Sequence, residues 1–181
     1  PSETAIKRSD LHFLNSTVSA SGRVVGMDQL DLTVNLMSSN LADIKFIYPD
    51  ANGQGSFKGT VKGPVATPVL DGTVTLDGHK YREWTIQHAE GGVKVDTAKQ
   101  LATLRDVTGR IGESTATLNG TASLDGKELN LQIRSDHIKP SDFESITKEK
   151  IGGIVSGNVT LTSVNPIKVA GHVKGVGLSA R

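Results

Sequence analysis

Residues 53–76 read GQGSFKGTVKGPVATPVLDGTVTL, and the fold is inferred from this stretch outward. Apolar residues or glycines alternate with polar residues on both sides of a segment that contains Gly63, Pro64 and Pro68. Alternation with a period of two is typical of a β-strand that has one apolar and one solvated face. The stretch therefore predicts two strands joined by a proline-containing turn.

The same pattern returns near the end of the chain, where residues 152–174 read GGIVSGNVTLTSVNPIKVAGHVK. The matching residues, separated by 98 or 99 positions, are Gly55 and Gly153, Gly59 and Gly157, Val61 and Val159, and Gly72 and Gly171. Residues 114–135 repeat residues 16–37 in the same way. We interpret 1–13 as a partial leading strand, 14–112 as a first β-repeat unit and 113–181 as a truncated second unit of one continuous elongated β domain.

The remaining segments predict further strands and two short helices. Residues 30–36, LDLTVNL, alternate strictly and indicate a strand. We expect short helices near 41–48, with Asn40 as the N-cap, and near 141–149, where Ser141 and Glu144 form a capping-box pattern. Asp77-Gly78 and Gly91-Gly92 predict turns. The segments between them are interpreted as short strands at 79–88, 93–97, 101–107 and 108–112.

These patterns predict an all-β fold, an up-and-down antiparallel meander curled into an elongated open groove with short helices between strands. A sheet with one apolar face must curl, pack on a neighbour or bind something apolar. Val, Ile and Thr, which favour pleated sheets, are abundant in the 181 residues, and aromatic residues make up only 4%. The chain begins inside a pattern, so we expect it to be a segment of a longer protein.

Composition excludes several functional classes. The net charge of +1 gives no basic footprint for nucleic acid. The absence of cysteine excludes disulfides and a thiolate zinc site.

The motifs of metal sites and of catalytic sites are missing as well. The five histidines, which are His12, His79, His88, His137 and His172, lack the spacing of a helical metal site. The sequence has no G-x-S-x-G nucleophile motif. The glycines at 53, 55 and 59 open into a strand and not into a phosphate-binding helix. We expect a non-catalytic protein without metal or cofactor.

The glycine and proline pattern resembles a known family. The succession G-x-G-x-x-x-G-x-V at 53–61, G-P-x(3)-P at 63–68 and D-G-x-V-x-L-D-G at 71–78 is similar to the β-repeats of TamB and AsmA-like envelope proteins. The V-x-G-x(2)-G segment at 107–112 and the strand pair around LDGKELNLQI at 124–133 are similar as well. The resemblance covers nearly the whole chain.

The resemblance implies a long bent sheet with an apolar groove, known as a β-taco, in a protein that bridges the two membranes of a diderm bacterium. It implies a periplasmic segment of a protein anchored in the inner membrane. The implied partners are phospholipid acyl chains and, through the full-length protein, an Omp85-type outer-membrane barrel. The implied roles are lipid transport and outer-membrane biogenesis. Exposing an acyl chain to water costs about 0.8 kcal/mol per CH₂, which a continuous apolar trough removes without specific contacts.

The apolar positions of the predicted strands supply the candidate groove lining. These positions are Leu30, Leu32, Val34, Phe57, Val61, Val74, Leu76, Trp84, Ile86, Leu129, Leu131, Ile133, Val155 and Val159. The same residues would also suit a closed core. The alternative is therefore a β-sandwich or solenoid that acts as a scaffold or adhesin module with a dry, closed interior. An accessory domain of an enzyme is a third alternative.

Overall fold

The computed structural model is a single antiparallel sheet of eleven strands. It describes residues 3–26, 28–44, 51–81, 84–125, 127–144, 150–164 and 167–180. Each strand pairs with the next strand in sequence, so the sheet is a meander, and it is open and not closed into a barrel. The strands are β1 (Glu3–Phe13), β2 (Ser16–Val25), β3 (Gln29–Ser38), β4 (Gln54–Pro64), β5 (Val69–Tyr81), β6 (Trp84–Asp96), β7 (Leu101–Ile111), β8 (Ser114–Ser123), β9 (Leu129–Ile138), β10 (Ile151–Val164) and β11 (Ile167–Ala180).

The register of the strands assigns nearly every residue to one of two faces, because directly paired residues of neighbouring strands share a face. From Val18 on β2, the pairing leads through Leu36 and Phe57 to Val74 on β5. We call the side that contains this row the apolar face and the opposite side, with Thr17, the polar face. The all-β meander that the sequence predicts is thus confirmed.

Glycines on the apolar side allow neighbouring backbones to approach closely. Gly59 and Gly72 pair directly between β4 and β5. A Cβ atom on Gly59 would lie 2.3 Å from the carbonyl oxygen of Asp71, and one on Gly72 would lie 2.3 Å from that of Lys58. Any larger side chain would collide with backbone, so these two positions require glycine.

Two predicted turns are wrong, because the strands run longer than the sequence pattern indicates. β5 continues through Asp77-Gly78 and β6 continues through Gly91-Gly92. The chain instead reverses between β5 and β6, where Tyr81 pairs with Trp84, so the single predicted strand at 79–88 is divided between two strands. The predicted strands 101–107 and 108–112 are one strand, β7, with a bulge next to Asp106. Position 91 of β6 suits glycine, because a Cβ atom there would lie 2.5 Å from the Cα atom of Val107 in this bulge.

In the part of the chain that the structure describes, the predicted short helices are not borne out. Where the structure describes these segments, each contains one 3₁₀ turn, Leu41–Ile44 and Pro140–Phe143, while residues 45–48 and 145–149 lie outside the described part. Asn40 does cap the first turn, since its side-chain oxygen accepts a hydrogen bond of 3.1 Å from the Ala42 amide. The second turn follows Lys139 and has no side-chain cap, because Pro140 begins the turn before the predicted capping box.

The two 3₁₀ turns are held to the sheet by equivalent aspartates. The Asp43 carboxylate accepts hydrogen bonds from the Asn15 amide at 2.7 Å and from the Ser16 hydroxyl at 3.1 Å. The Asp142 carboxylate accepts from the Ser114 amide at 2.9 Å and from its hydroxyl at 2.7 Å. The succession β2, β3, turn, β4, β5 therefore recurs as β8, β9, turn, β10, β11, in agreement with the sequence repeat.

Candidate functional site

The apolar face is continuous across all eleven strands. It contains twelve of the fourteen candidate lining residues, which are Leu30, Leu32, Val34, Phe57, Val61, Val74, Leu76, Leu129, Leu131, Ile133, Val155 and Val159. The apolar face continues across the second half of the sheet. Four inter-strand pairs show this: Leu70 with Val95, Ala102 with Ala122, Leu118 with Ile133, and Ile133 with Val159. The register thus places these side chains on one face, although each strand contacts only the strands next to it in sequence.

Trp84 and Ile86 occupy a different place. They pair with Tyr81 and His79 at one end of the sheet. Ala89 belongs to the apolar face, and side chains alternate along a strand, so the register places Trp84 and Ile86 on the opposite face. The Trp84 ring packs edge-on against Phe143 of the second 3₁₀ turn, with 6.0 Å between ring centroids and an interplanar angle of 83°. This contact joins the turn to the sheet end, as aromatic pairs of this geometry commonly do.

Sequence reasoning missed more apolar-face residues than it found. The missed residues include Leu11, Phe13, Val18, Leu70, Val93, Val95, Leu104, Val107, Leu118, Leu161, Val169 and Val173. The alternation of Val93 with Val95 was an available signal. Leu104 and Val107 were harder to assign, because the bulge at Asp106 inserts one residue and shifts the alternating pattern.

The apolar face has little cover of its own. Among the described residues, the buried apolar ones are Leu41, Ala51 and Leu131, and no large side chain is fully buried. Leu41 belongs to the first 3₁₀ turn and lies over Gly55 beside Leu76, because a Cβ on Gly55 would be 3.0 Å from a Leu41 methyl group. The other apolar side chains of the face are half-buried by their neighbours in the same sheet or are exposed.

The polar face is dominated by paired charges. Asp31 on β3 contacts Arg23 at 3.2 Å on one side and Lys62 at 3.2 Å on the other. The hydrogen bond from Lys62 lowers the pKa of the Asp31 carboxyl. Such exposed pairs contribute little stability. They maintain a solvated face opposite the apolar one, so the two faces differ sharply in chemistry.

The described histidines do not form a metal site. His79 contacts the Asn52 carbonyl at 3.1 Å, and His88 contacts Asp77 at 2.7 Å. Across the described ranges, no group of three or more His, Asp or Glu side chains is arranged to hold a metal ion. The same residues include no helix that is long and apolar enough to cross a membrane.

A closed β-sandwich formed by the described strands alone does not fit this arrangement. A β-sandwich needs a second sheet against the apolar face. The strands that the structure describes all belong to one open sheet. The distinguishing feature of the chain is therefore an extended apolar face. Comparison with protein-family models, curated proteins and solved structures found no match to this chain.

Proposed function

We propose that the chain is a non-catalytic segment of a bridge between the two membranes of a diderm bacterium, and that its apolar face covers phospholipid acyl chains. In this proposal the segment lies in the periplasm and its parent protein is anchored in the inner membrane. The parent protein cooperates with an Omp85-type barrel in outer-membrane biogenesis. The sequence resemblance to TamB and AsmA-like repeats is the source of this location and of this partner.

The single observation that carries the proposal is the extent of the apolar face. It crosses eleven strands, and the described 3₁₀ turns cover only its margin. Exposed apolar patches of more than a few hundred Å² on soluble proteins mark contact sites for other apolar molecules. An acyl chain needs only continuous apolar contact and no directed polar partner, which is what a row of Val, Leu and Ile supplies.

The glycines support the further proposal that the sheet curls into a groove around the acyl chains. Gly22, Gly59, Gly72, Gly120 and Gly157 all lie mid-strand, and the backbone of a neighbouring strand occupies the space that a Cβ would fill. Close backbone approach at such positions accompanies sharp bends in sheets. Polar headgroups would remain in water at the open side, while the tails would lie along the apolar face.

Site-specific photocrosslinking tests the proposal. Leu32 or Thr33 is replaced by p-benzoylphenylalanine in the chain, which is then produced in the periplasm of a bacterium whose phospholipids carry radioactive phosphate. The two positions are adjacent on β3 but lie on opposite faces. We expect the Leu32 position to crosslink to phospholipid upon irradiation, because its side chain points to the apolar face.

The Thr33 position is the matched control and should give little or no crosslink. Equal labelling at both positions would indicate non-specific contact with membranes. No labelling at either position would contradict an acyl-chain site and would favour a protein partner on this face.

A further inference from the structure

Two arginines of the polar face have no charged partner among the described residues. The structure describes five arginine side chains, and three of them are paired with aspartates: Arg8 with Asp10, Arg23 with Asp31 and Arg105 with Asp71. The other two are Arg110 on β7 and Arg134 on β9, and neither has a described carboxylate within 4.0 Å. Both line the same cavity, which has a volume of about 470 Å³.

The pairing of β7, β8 and β9 places these two arginines on either side of a threonine row. Arg110 pairs with Thr115 on β8, and Arg134 pairs with Thr117 on the same strand. Two strand spacings separate β7 from β9, which is roughly 10 Å. Both guanidinium groups can therefore reach a single small ligand that lies over β8, where the threonine hydroxyls supply further hydrogen bonds.

A bulge in β9 shapes this cavity. The register between β8 and β9 shifts between Thr115 and Thr117, opposite Ser135 and Asp136. Ser135 is 8% exposed, donates a hydrogen bond of 2.5 Å to the Thr115 carbonyl and accepts one of 3.0 Å from the His137 amide. Bulges reorient side chains and are common beside binding sites. The bulge next to Arg134 is thus held by hydrogen bonds of the Ser135 hydroxyl to the backbone of β8 and β9.

Among the described residues, two other ionisable groups line the cavity. The His88 side chain contacts the Asp77 carboxylate at 2.7 Å, whereas neither guanidinium group has a described carboxylate within 4.0 Å. Asp136 is the single carboxylate that the structure describes in the lining, and it is exposed. The two guanidinium groups carry more positive charge than this one carboxylate carries negative charge. The carboxylate can accept a hydrogen bond from a hydroxyl group on the ligand.

We propose that this cavity is a binding site for a phosphate group. Guanidinium groups present paired donors that match the oxygens of a phosphate, and charge-assisted hydrogen bonds of this kind are the strong ones. The phosphate belongs either to a lipid headgroup or to a free phosphate ion. The arginines and threonines that would bind the phosphate lie on the polar face, so this proposal is independent of the acyl-chain proposal.

An NMR titration of the chain tests this site. Inorganic phosphate and glycerol 3-phosphate, which represents a headgroup without acyl chains, are added separately at constant low ionic strength. We expect saturable shifts of the Thr115 and Thr117 amides. Arg110→Gln and Arg134→Gln should each weaken binding at least about tenfold, because each removes a charge-assisted contact. Lys58→Gln removes one exposed positive charge from the polar face three strands away and should leave the affinity unchanged.

The outcomes separate the sources of the phosphate. Saturation by both compounds supports a site for any phosphate, and saturation by glycerol 3-phosphate alone supports a headgroup site. The absence of saturable shifts with either compound up to about 10 mM would overturn the proposal. An equal loss of affinity in Lys58→Gln would overturn it as well, because binding would then reflect overall charge. If an arginine variant fails to fold, the site-resolved shifts of the unaltered chain decide the question.

Discussion

The two strand pairs that share the repeated pattern, β4–β5 and β10–β11, have the same local structure but different surroundings. In both, two long strands are joined at a proline-containing segment, and a glycine lies at the matching position of the second strand, Gly72 or Gly171. The side chain of Val74 on β5 is half-buried. Its counterpart Val173 on β11 is 65% exposed.

The difference arises because β5 lies between two strands and β11 has only one described neighbour. β6 covers the second side of β5. The polar face differs in the same way, since Asp71 of β5 reaches across β6 to Arg105 of β7, while the corresponding position on β11 is Ala170. In a single-layer sheet, burial of a side chain therefore depends on the flanking strands.

The largest predicted effect concerns the paired glycines. Gly72→Ala should lower the free energy of unfolding by about 3 kcal/mol, because the new Cβ would lie 2.3 Å from the Lys58 carbonyl oxygen in a strand held on both sides. Gly171→Ala creates the same clash, 2.2 Å from the Asn158 carbonyl oxygen, but should cost only about 1 kcal/mol, since β11 can move away. Urea denaturation of the two variants measures both losses.

Equal losses at Gly72 and Gly171 would break this comparison. They would mean that β11 is held as firmly as β5, for example by pairing of its free edge with another chain. The same denaturation experiment repeated over a range of protein concentrations would reveal such pairing.

A smaller effect is expected from the two valines. Val74→Ala should lower the free energy of unfolding by about 1 kcal/mol, because it removes half-buried methyl groups from the apolar face. Val173→Ala should change it by less than about 0.5 kcal/mol, as is usual for an exposed position. Thermal unfolding of the two variants measures the difference, and a greater loss at Val173 would show that β11 is covered in solution.

The smallest effect concerns the pH dependence of stability. The hydrogen bond from Arg105 lowers the pKa of the Asp71 carboxyl below its ordinary value. A lowered pKa in the folded state contributes stability above the pKa of the unfolded chain, near 4, and this contribution is lost as the pH falls through the folded value. Asp71→Asn should therefore reduce the decrease in the free energy of unfolding between pH 5 and pH 3. This change should be smaller than the loss expected for Val74→Ala, because the ion pair is exposed.

Urea denaturation at several pH values checks this expectation. Ala170→Asp is the matched control, because it places a carboxyl at the equivalent position of β11, where no described arginine is paired across the sheet. The Ala170→Asp variant should show the same change in the free energy of unfolding with pH as the unaltered chain. An unchanged acid profile of Asp71→Asn would show that the ion pair does not contribute in solution.

The fold was predictable where alternation is uninterrupted. Residues 30–36 and the two repeated strand pairs were predicted as strands and form strands, and twelve candidate residues share one face. The errors occurred at glycines and at the bulge. Gly78 and Gly91 were interpreted as turns, yet each lies inside a strand, because glycine serves bends within sheets as readily as reversals between strands.

The phosphate-site residues gave no signal in the sequence. Arg110 and Arg134 are 24 positions apart and follow no motif. They line one cavity because β7 and β9 flank β8 and a bulge changes the register. Likewise, nothing near Asp43 or Asp142 predicted that these carboxylates hold the turns to residues 28 positions earlier.

The sequence by itself determined the β class, the repeat and the chemistry of the two faces, since side chains in a strand alternate between faces whatever the strand contacts. Only the tertiary structure decided how far each strand extends, that all eleven strands join in one open sheet, and which valines are half-buried or exposed. These properties depend on contacts between residues distant in sequence, and alternation within one strand carries no information about its neighbours.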